Sequence, residues 1–133
     1  MAVIIAFDPG QVTGVARFDL TTGDLQTWET DDPLPFLDVA EAGTLVLIEE
    51  LSPASLARCP VATELRRIAL ARGCQVEQIR PGHWKPLKKI FGLRDLAAGD
   101  HARDAAALVA YYLMTRGGQY ADWGLAGPGR STR

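Results

Sequence analysis

Basic residues are almost missing from the first part of this sequence. Residues 1–57 hold one, Arg17, against ten acids running from Asp8 to Glu50. Cysteine is scarce as well: Cys59 and Cys74 stand alone, with no CxxC pair and no histidine pattern beside them. That argues against structural zinc and against a disulfide framework, and the two read as buried or free thiols in a reducing cytoplasm. No segment approaches the ~20 consecutive apolar residues of a membrane span. The apolar start is interrupted by Asp8 and has no basic leader, which argues against a signal peptide. Internal repeats and a domain linker are also missing.

What is present describes an ordinary globular chain. Its 133 residues are 47% hydrophobic and 23% charged, with a net charge of -2. That length is one domain and is enough to bury a continuous core. The charge is unevenly spread. Residues 58–133 hold thirteen bases against six acids, so the two parts carry about -9 and +7. An acidic focus beside a basic surface suits a metal site next to a polyanion, although segregation along a chain can vanish on folding.

Hydrophobic patterning gives an α/β order. Val3 to Phe7 is a continuous, β-branched run that reads as a buried strand. Asp8-Pro9-Gly10 is a turn signal, Thr13 to Asp19 a second strand, and Thr21 to Asp24 a hairpin turn into a third, Leu25 to Thr30. Short connections make these three antiparallel. A short helix is expected over Pro33 to Ala42, packing Leu34, Leu37 and Val39 or Ala40. Thr44 to Ile48 is a fourth strand, apolar on both faces and so central, ending on Glu49-Glu50. Pro60 to Ala71 has proline in its first turn and Gly73 past its end, the punctuation of a helix, with Val61, Leu65, Ile68 and Ala69 or Arg72 inward. Cys74 to Ile79 is a fifth strand. Pro81 to Phe91 looks helical in its second half, and Asp100 to Arg116 is the clearest helix, facing inward with Ala105, Leu108, Val109, Tyr112 and Leu113. The expectation is a five-stranded mixed sheet, three strands antiparallel and then two parallel, with helices on both faces. Residues 1–116 form the domain, and the glycine-rich 117–133 reads as a flexible C-terminal tail.

The carboxylates sit at informative places. Asp8 ends the first strand and Glu49 the fourth; if those strands are parallel neighbours, both project from one sheet edge, where α/β folds place ligands. Glu50 is the adjacent, second choice. His101 and Asp104 are three apart and share a face in the first turn of the last helix. Singly, each has an ordinary explanation. Asp8 before Pro-Gly is a good turn residue, Glu49 and Glu50 suit a solvated strand exit, Asp100 suits an N-cap, and Asp104 suits the helix dipole. Jointly, oxygen and nitrogen ligands at one edge suit Mg²⁺ or Mn²⁺. Two such ions with a bridging carboxylate, for which Asp8 is the natural candidate, are an apparatus for phosphodiester hydrolysis.

Four motifs in order carry a family resemblance: DPGxxTG from Asp8 to Gly14, Ile48-Glu49 at the end of strand four, the stretch IRPGHWKPLKKIFG from Ile79, and HxxDA from His101 to Ala105. Together they resemble RuvC-type Holliday junction resolvases of the RNase H-like nuclease superfamily, over about Val3 to Arg116. The resemblance implies a catalytic and metal-binding set of Asp8, Glu49, His101 and Asp104, two Mg²⁺ or Mn²⁺ ions, and a homodimer that cuts four-way DNA junctions symmetrically. It implies work on DNA in the cytoplasm of a bacterial or phage-infected bacterial cell. The short span from Glu49 to His101, and an ELSPAS segment without the aromatic that bacterial members use against junction bases, look more like resolvases carried by bacteriophages. Branched DNA in general is therefore an expected substrate.

The IRPGHWKPLKKIFG stretch is basic. Arg80, Lys85, Lys88 and Lys89 would contact phosphates, giving affinity without sequence information. A solvated helix face is the simpler account of the lysines. Trp84 reads as a packing residue. Arg66, Arg67 and Arg72 either add phosphate contacts or decorate a helix, and Arg58 reads as a loop residue. Two other classes compete. Phe7 to Val15 loosely fits the phosphate loop of an actin-like or sugar-kinase ATPase, which needs a second domain this length does not supply. A non-catalytic RNase H-like binding domain is the other.

Overall fold

The computed structural model describes residues 2–84 and 99–115. Five strands, β1 (Val3–Asp8), β2 (Thr13–Asp19), β3 (Leu25–Thr30), β4 (Leu45–Glu49) and β5 (Gln75–Ile79), make one sheet in the order β3-β2-β1-β4-β5. The β1–β2 and β2–β3 pairs are antiparallel, while β1–β4 and β4–β5 are parallel. The expected mixed α/β sheet is the one found. A tight hairpin joins β2 to β3, where Asp19 Oδ1 accepts from the Thr21 and Thr22 amides at 2.8 and 3.2 Å.

Strand alternation divides the core in two. Ile4 and Ala6 of β1, Ala16 and Phe18 of β2, Leu45 and Leu47 of β4 and Ile79 of β5 face one way. They meet the long helix α5 (Asp100–Thr115), whose Ala105, Leu108, Val109, Tyr112 and Leu113 are buried as expected. Burial also takes in Ala102, Ala106, Ala107 and Ala110, wider than the expected stripe. Their small side chains let α5 lie close on the sheet. Trp84 is fully buried in this same core, the packing role read for it. On the opposite face Ile5, Phe7, Val15, Val46 and Ile48 pack with Leu37 and with Leu65 and Ala69 of α3 (Pro60–Ala71). Helices therefore cover both faces.

The helices are where expectation and structure part. The helix expected over 33–42 shrinks to α1 (Pro35–Asp38), with Pro35 in its first turn and Val39, 82% exposed, already off the helix. Leu37 and Ala40 are buried and Leu34 packs against the same core, as expected. Helix α2 (Pro53–Arg58) was not expected, and it places Arg58 in a helix rather than a loop. Its signal was present: Ser52 accepts from the Ser55 amide at 3.2 Å and Pro53 occupies the first turn, a proper cap and start. From residue 81 the described stretch is already helical, as α4 (Pro81–Trp84), opened by proline. The second half of that expectation, Arg116 and the 117–133 tail lie outside the described residues.

Both cysteines are free, and burial pushes the Cys74 thiol up. Among the described residues no helix is long and apolar enough to cross a membrane. One prediction tests the packing behind α3. Ile5 is 4% exposed, and Ile5→Val is expected to cost about 1 kcal/mol by urea denaturation, with the slope unchanged.

Candidate active site

The site is built on one row of residues crossing the sheet. Asp8, the last residue of β1, is paired with Gly14 of β2, and Gly14 with Glu29 of β3. On the other side Phe7 pairs with Ile48, so Glu49 follows Ile48 as Asp8 follows Phe7, and Glu49 pairs in turn with Ile79. Because alternate residues share a face, Asp8 and Glu49 point the same way as Ala6 and Leu47, toward α5. The row thus reads acid, glycine, acid, acid from the β3 edge inward.

Strand parity also separates the two glutamates. Glu49 is 9% exposed beside Asp8, itself 8% exposed. Glu50 lies past the strand end, its amide donating to the Ile79 carbonyl at 2.8 Å and its exposed carboxylate 3.7 Å from Arg80 Nε. The structure therefore brings Glu49, and not Glu50, to Asp8.

Helix α5 closes over the row with its first turn. Asp104 comes within reach of Asp8, and His101 Nδ1 lies 3.7 Å from Asp8 Oδ2 with about half of its side chain exposed. All four residues singled out in the sequence are thus neighbours, although they come from three elements. Burial, then the carboxylate of Glu49, then that of Asp104, push the Asp8 carboxyl up to about 9. Ionising Asp8 would set its charge beside other carboxylates in a dry site, which is why its proton is held so tightly.

That first turn has a fit the sequence did not announce. A side chain at Gly14 would put its Cβ 1.8 Å from the His101 carbonyl oxygen, so only glycine lets the helix backbone come down onto β2. Asp100 was expected to cap the helix; instead its exposed side chain pairs with Arg103 at 2.8 Å. The residue before the helix is Gly99, whose carbonyl takes the Arg103 amide at 2.8 Å. Glu29 supplies the missing cap from the neighbouring strand, its Oε2 accepting from the His101 and Ala102 amides at 2.7 and 3.1 Å. The only sequence signal for it was an acid at the face-matched end of β3.

The donor set is suited to a hard divalent cation: three carboxylates and an imidazole, with no thiolate near. Among the described residues no three His, Cys, Asp or Glu side chains already surround one cation position. The elevated proton affinity of Asp8 marks the place where a cation would take over from the proton. By donor chemistry and adjacency the residues fit Mg²⁺ or Mn²⁺.

No protein-family model matches this chain, and no curated protein matches it either.

Of the basic residues, Arg80 follows β5 at the same sheet edge and is largely exposed. Lys85, Lys88 and Lys89 lie outside the described residues. Arg67 is paired with Glu64 at 2.9 Å, which holds the Glu64 carboxyl below its usual range. Arg72 donates to the Asp38 carbonyl at 2.8 Å and so braces α1 against the end of α3. A cavity of about 150 Å³ lies at the opposite end of the sheet, lined by residues including Val3, Ile5, Arg17 and Thr44. It contains none of the acidic row.

Proposed function

We propose that this chain is a metal-dependent, structure-selective endodeoxyribonuclease of the RuvC-like type, hydrolysing phosphodiester bonds in four-way junctions or other branched DNA. The observation behind this reading is the convergence of Asp8, Glu49 and Asp104, with His101 at the rim, on one sheet edge. The motif order DPGxxTG, IE and HxxDA points the same way. The working form is a homodimer, which would cut two strands of a symmetric junction, in the cytoplasm of a bacterial or phage-infected cell.

Asp8, Glu49, His101 and Asp104 would hold two Mg²⁺ or Mn²⁺ ions. When bound, such ions lower the pKa of an attacking water and stabilise the leaving oxygen of an in-line displacement. The protein's own part is to keep its ligands in place. Asp8 and Glu49 sit at the ends of paired central strands, so neither can move without the sheet. Asp104 is fixed by the docking of α5. Asp8 would have to give up its proton for such an ion to bind, which would make loading easier as pH rises. Arg80 would grip backbone phosphate at the mouth of the site, and Lys85, Lys88 and Lys89 would extend that grip, giving affinity that falls with salt.

The test is cleavage of a synthetic four-way DNA junction against linear duplex of the same sequence, with and without Mn²⁺. Cutting of the junction that needs metal and leaves the linear duplex intact is the expected result. Intact junctions together with ATP binding would replace this reading with the actin-like one. Junction binding without cutting would favour a non-catalytic RNase H-like domain.

A further inference from the structure

The geometry points to Glu29 as a positioning residue for the proposed site, one that touches neither metal nor substrate and acts by seating the first turn of α5. This rests on the metal-site reading above. Four observations lead to it. Glu29 lies in the same cross-sheet row as Asp8, separated from it only by Gly14. Gly14 has no side chain, which leaves the way open for the α5 backbone to settle beside that row. Gly99 has no side chain either, and a Cβ there would stand 2.6 Å from Glu29 Oε2. The Glu29 carboxylate then accepts from two successive amides, His101 at 2.7 Å and Ala102 at 3.1 Å.

The consequence is specific to the site. The amide of His101 is pinned directly, and Asp104 stands one turn further along the same helix. A helix that begins with glycine has no cap of its own and would fray, and fraying would act on the very turn that bears both groups. A carboxylate on these amides is also favoured by the positive end of the helix. Capping across strands ties the site's helix to the sheet that bears Asp8. An ordinary local cap would stiffen the helix without fixing where it sits.

The experiment compares Glu29→Ala, Glu29→Gln and Ile5→Val with wild type. The last is a destabilising control in the core on the far face of the sheet. The readout is the midpoint of Mn²⁺ binding by isothermal titration, with melting temperatures with and without Mn²⁺ and kcat and KM for junction cleavage measured alongside. Glu29→Ala is expected to raise that Mn²⁺ midpoint about tenfold and to lower kcat more than KM, the size of effect found when a residue behind a metal ligand is removed. Glu29→Gln, which still accepts from both amides, is expected to recover most of the midpoint. Ile5→Val is expected to lower the melting temperature and leave the midpoint unchanged. A wild-type midpoint in Glu29→Ala, or an equal shift in Ile5→Val, would overturn the positioning role and leave the metal site standing. If wild type itself gains no stability from Mn²⁺, the metal-site reading fails first and the role of Glu29 goes with it.

Discussion

Asp8→Asn is expected to abolish metal-dependent junction cleavage, by about three orders of magnitude or more, while making the metal-free protein more stable at neutral pH. The two effects have one origin. Asp8 is buried against Glu49 and Asp104, and its carboxyl is pushed up to about 9. Unfolded, the same group titrates near 3.8. Below that value both states are protonated and the group is neutral toward folding. As pH rises from there toward about 9, the unfolded chain releases its proton and the folded one does not, so stability is lost across the interval. The loss is at most about 1.4 kcal/mol per pH unit. Metal-free wild type should therefore melt lower at pH 8 than at pH 6. Asp8→Asn keeps the shape and a neutral group, so it should flatten that slope and melt higher than wild type at pH 8. On the proposed reading Mn²⁺ would act in the other direction, since it would bind the ionised carboxylates. Its stabilising effect on wild type should grow with pH and be absent in Asp8→Asn. Thermal melts across pH 5.5 to 8.5, with and without Mn²⁺, measure all of this. An unchanged slope in Asp8→Asn would mean that Asp8 is ionised in the folded state and the site is more open than described.

Gly14→Ala is the second large effect. The added Cβ would run into the His101–Ala102 peptide, 1.8 Å from the His101 oxygen, 2.2 Å from its carbonyl carbon and 2.8 Å from the Ala102 nitrogen. No rotamer change relieves a clash with backbone; the first turn of α5 has to move off the sheet. That separates the His101 and Ala102 amides from Glu29 and lifts Asp104 away from Asp8. The cost should exceed about 4 kcal/mol, a large share of the stability of a domain this size. Urea denaturation measures it, and a loss below about 1 kcal/mol, within what an ordinary substitution does, would mean that α5 does not lie against β2 as described. If Gly14→Ala folds at all, it should need much more Mn²⁺ for the same thermal shift.

The strands were legible because their signals are local. The bounds of β2 and β3 were read correctly, since a hairpin turn and alternating side chains lie within a few residues of each other. The start and end of α3 were also written in sequence, by Pro60 and Gly73. Helix α1 came out shorter than expected because the chain leaves the helix at the exposed Val39, although Leu34, Leu37 and Ala40 pack as read. The four site residues were nameable from where elements end, but not their partners. Glu49 was preferred over Glu50 from its place after Ile48, and the register of β4 on β1 shows why. The cap from Glu29 was invisible because 72 residues separate it from the amide it holds. Gly14 stood in a motif, yet its reason is the helix that lands on it. Tertiary proximity decided the last two.

The row from Glu29 through Gly14 and Asp8 to Glu49 also sets a timetable. Its strands are in hand once β4 has paired with β1, but the face they present is uncovered until α5 arrives from the far end of the described chain. A ribosome delivering the chain from its N-terminus therefore exposes all three acids of the row long before the helix that completes their surroundings has emerged. Contacts of such long sequence separation form late and slowly. The proposed chemistry would have to wait for that last docking, because a partly synthesised chain has yet to receive His101 and Asp104.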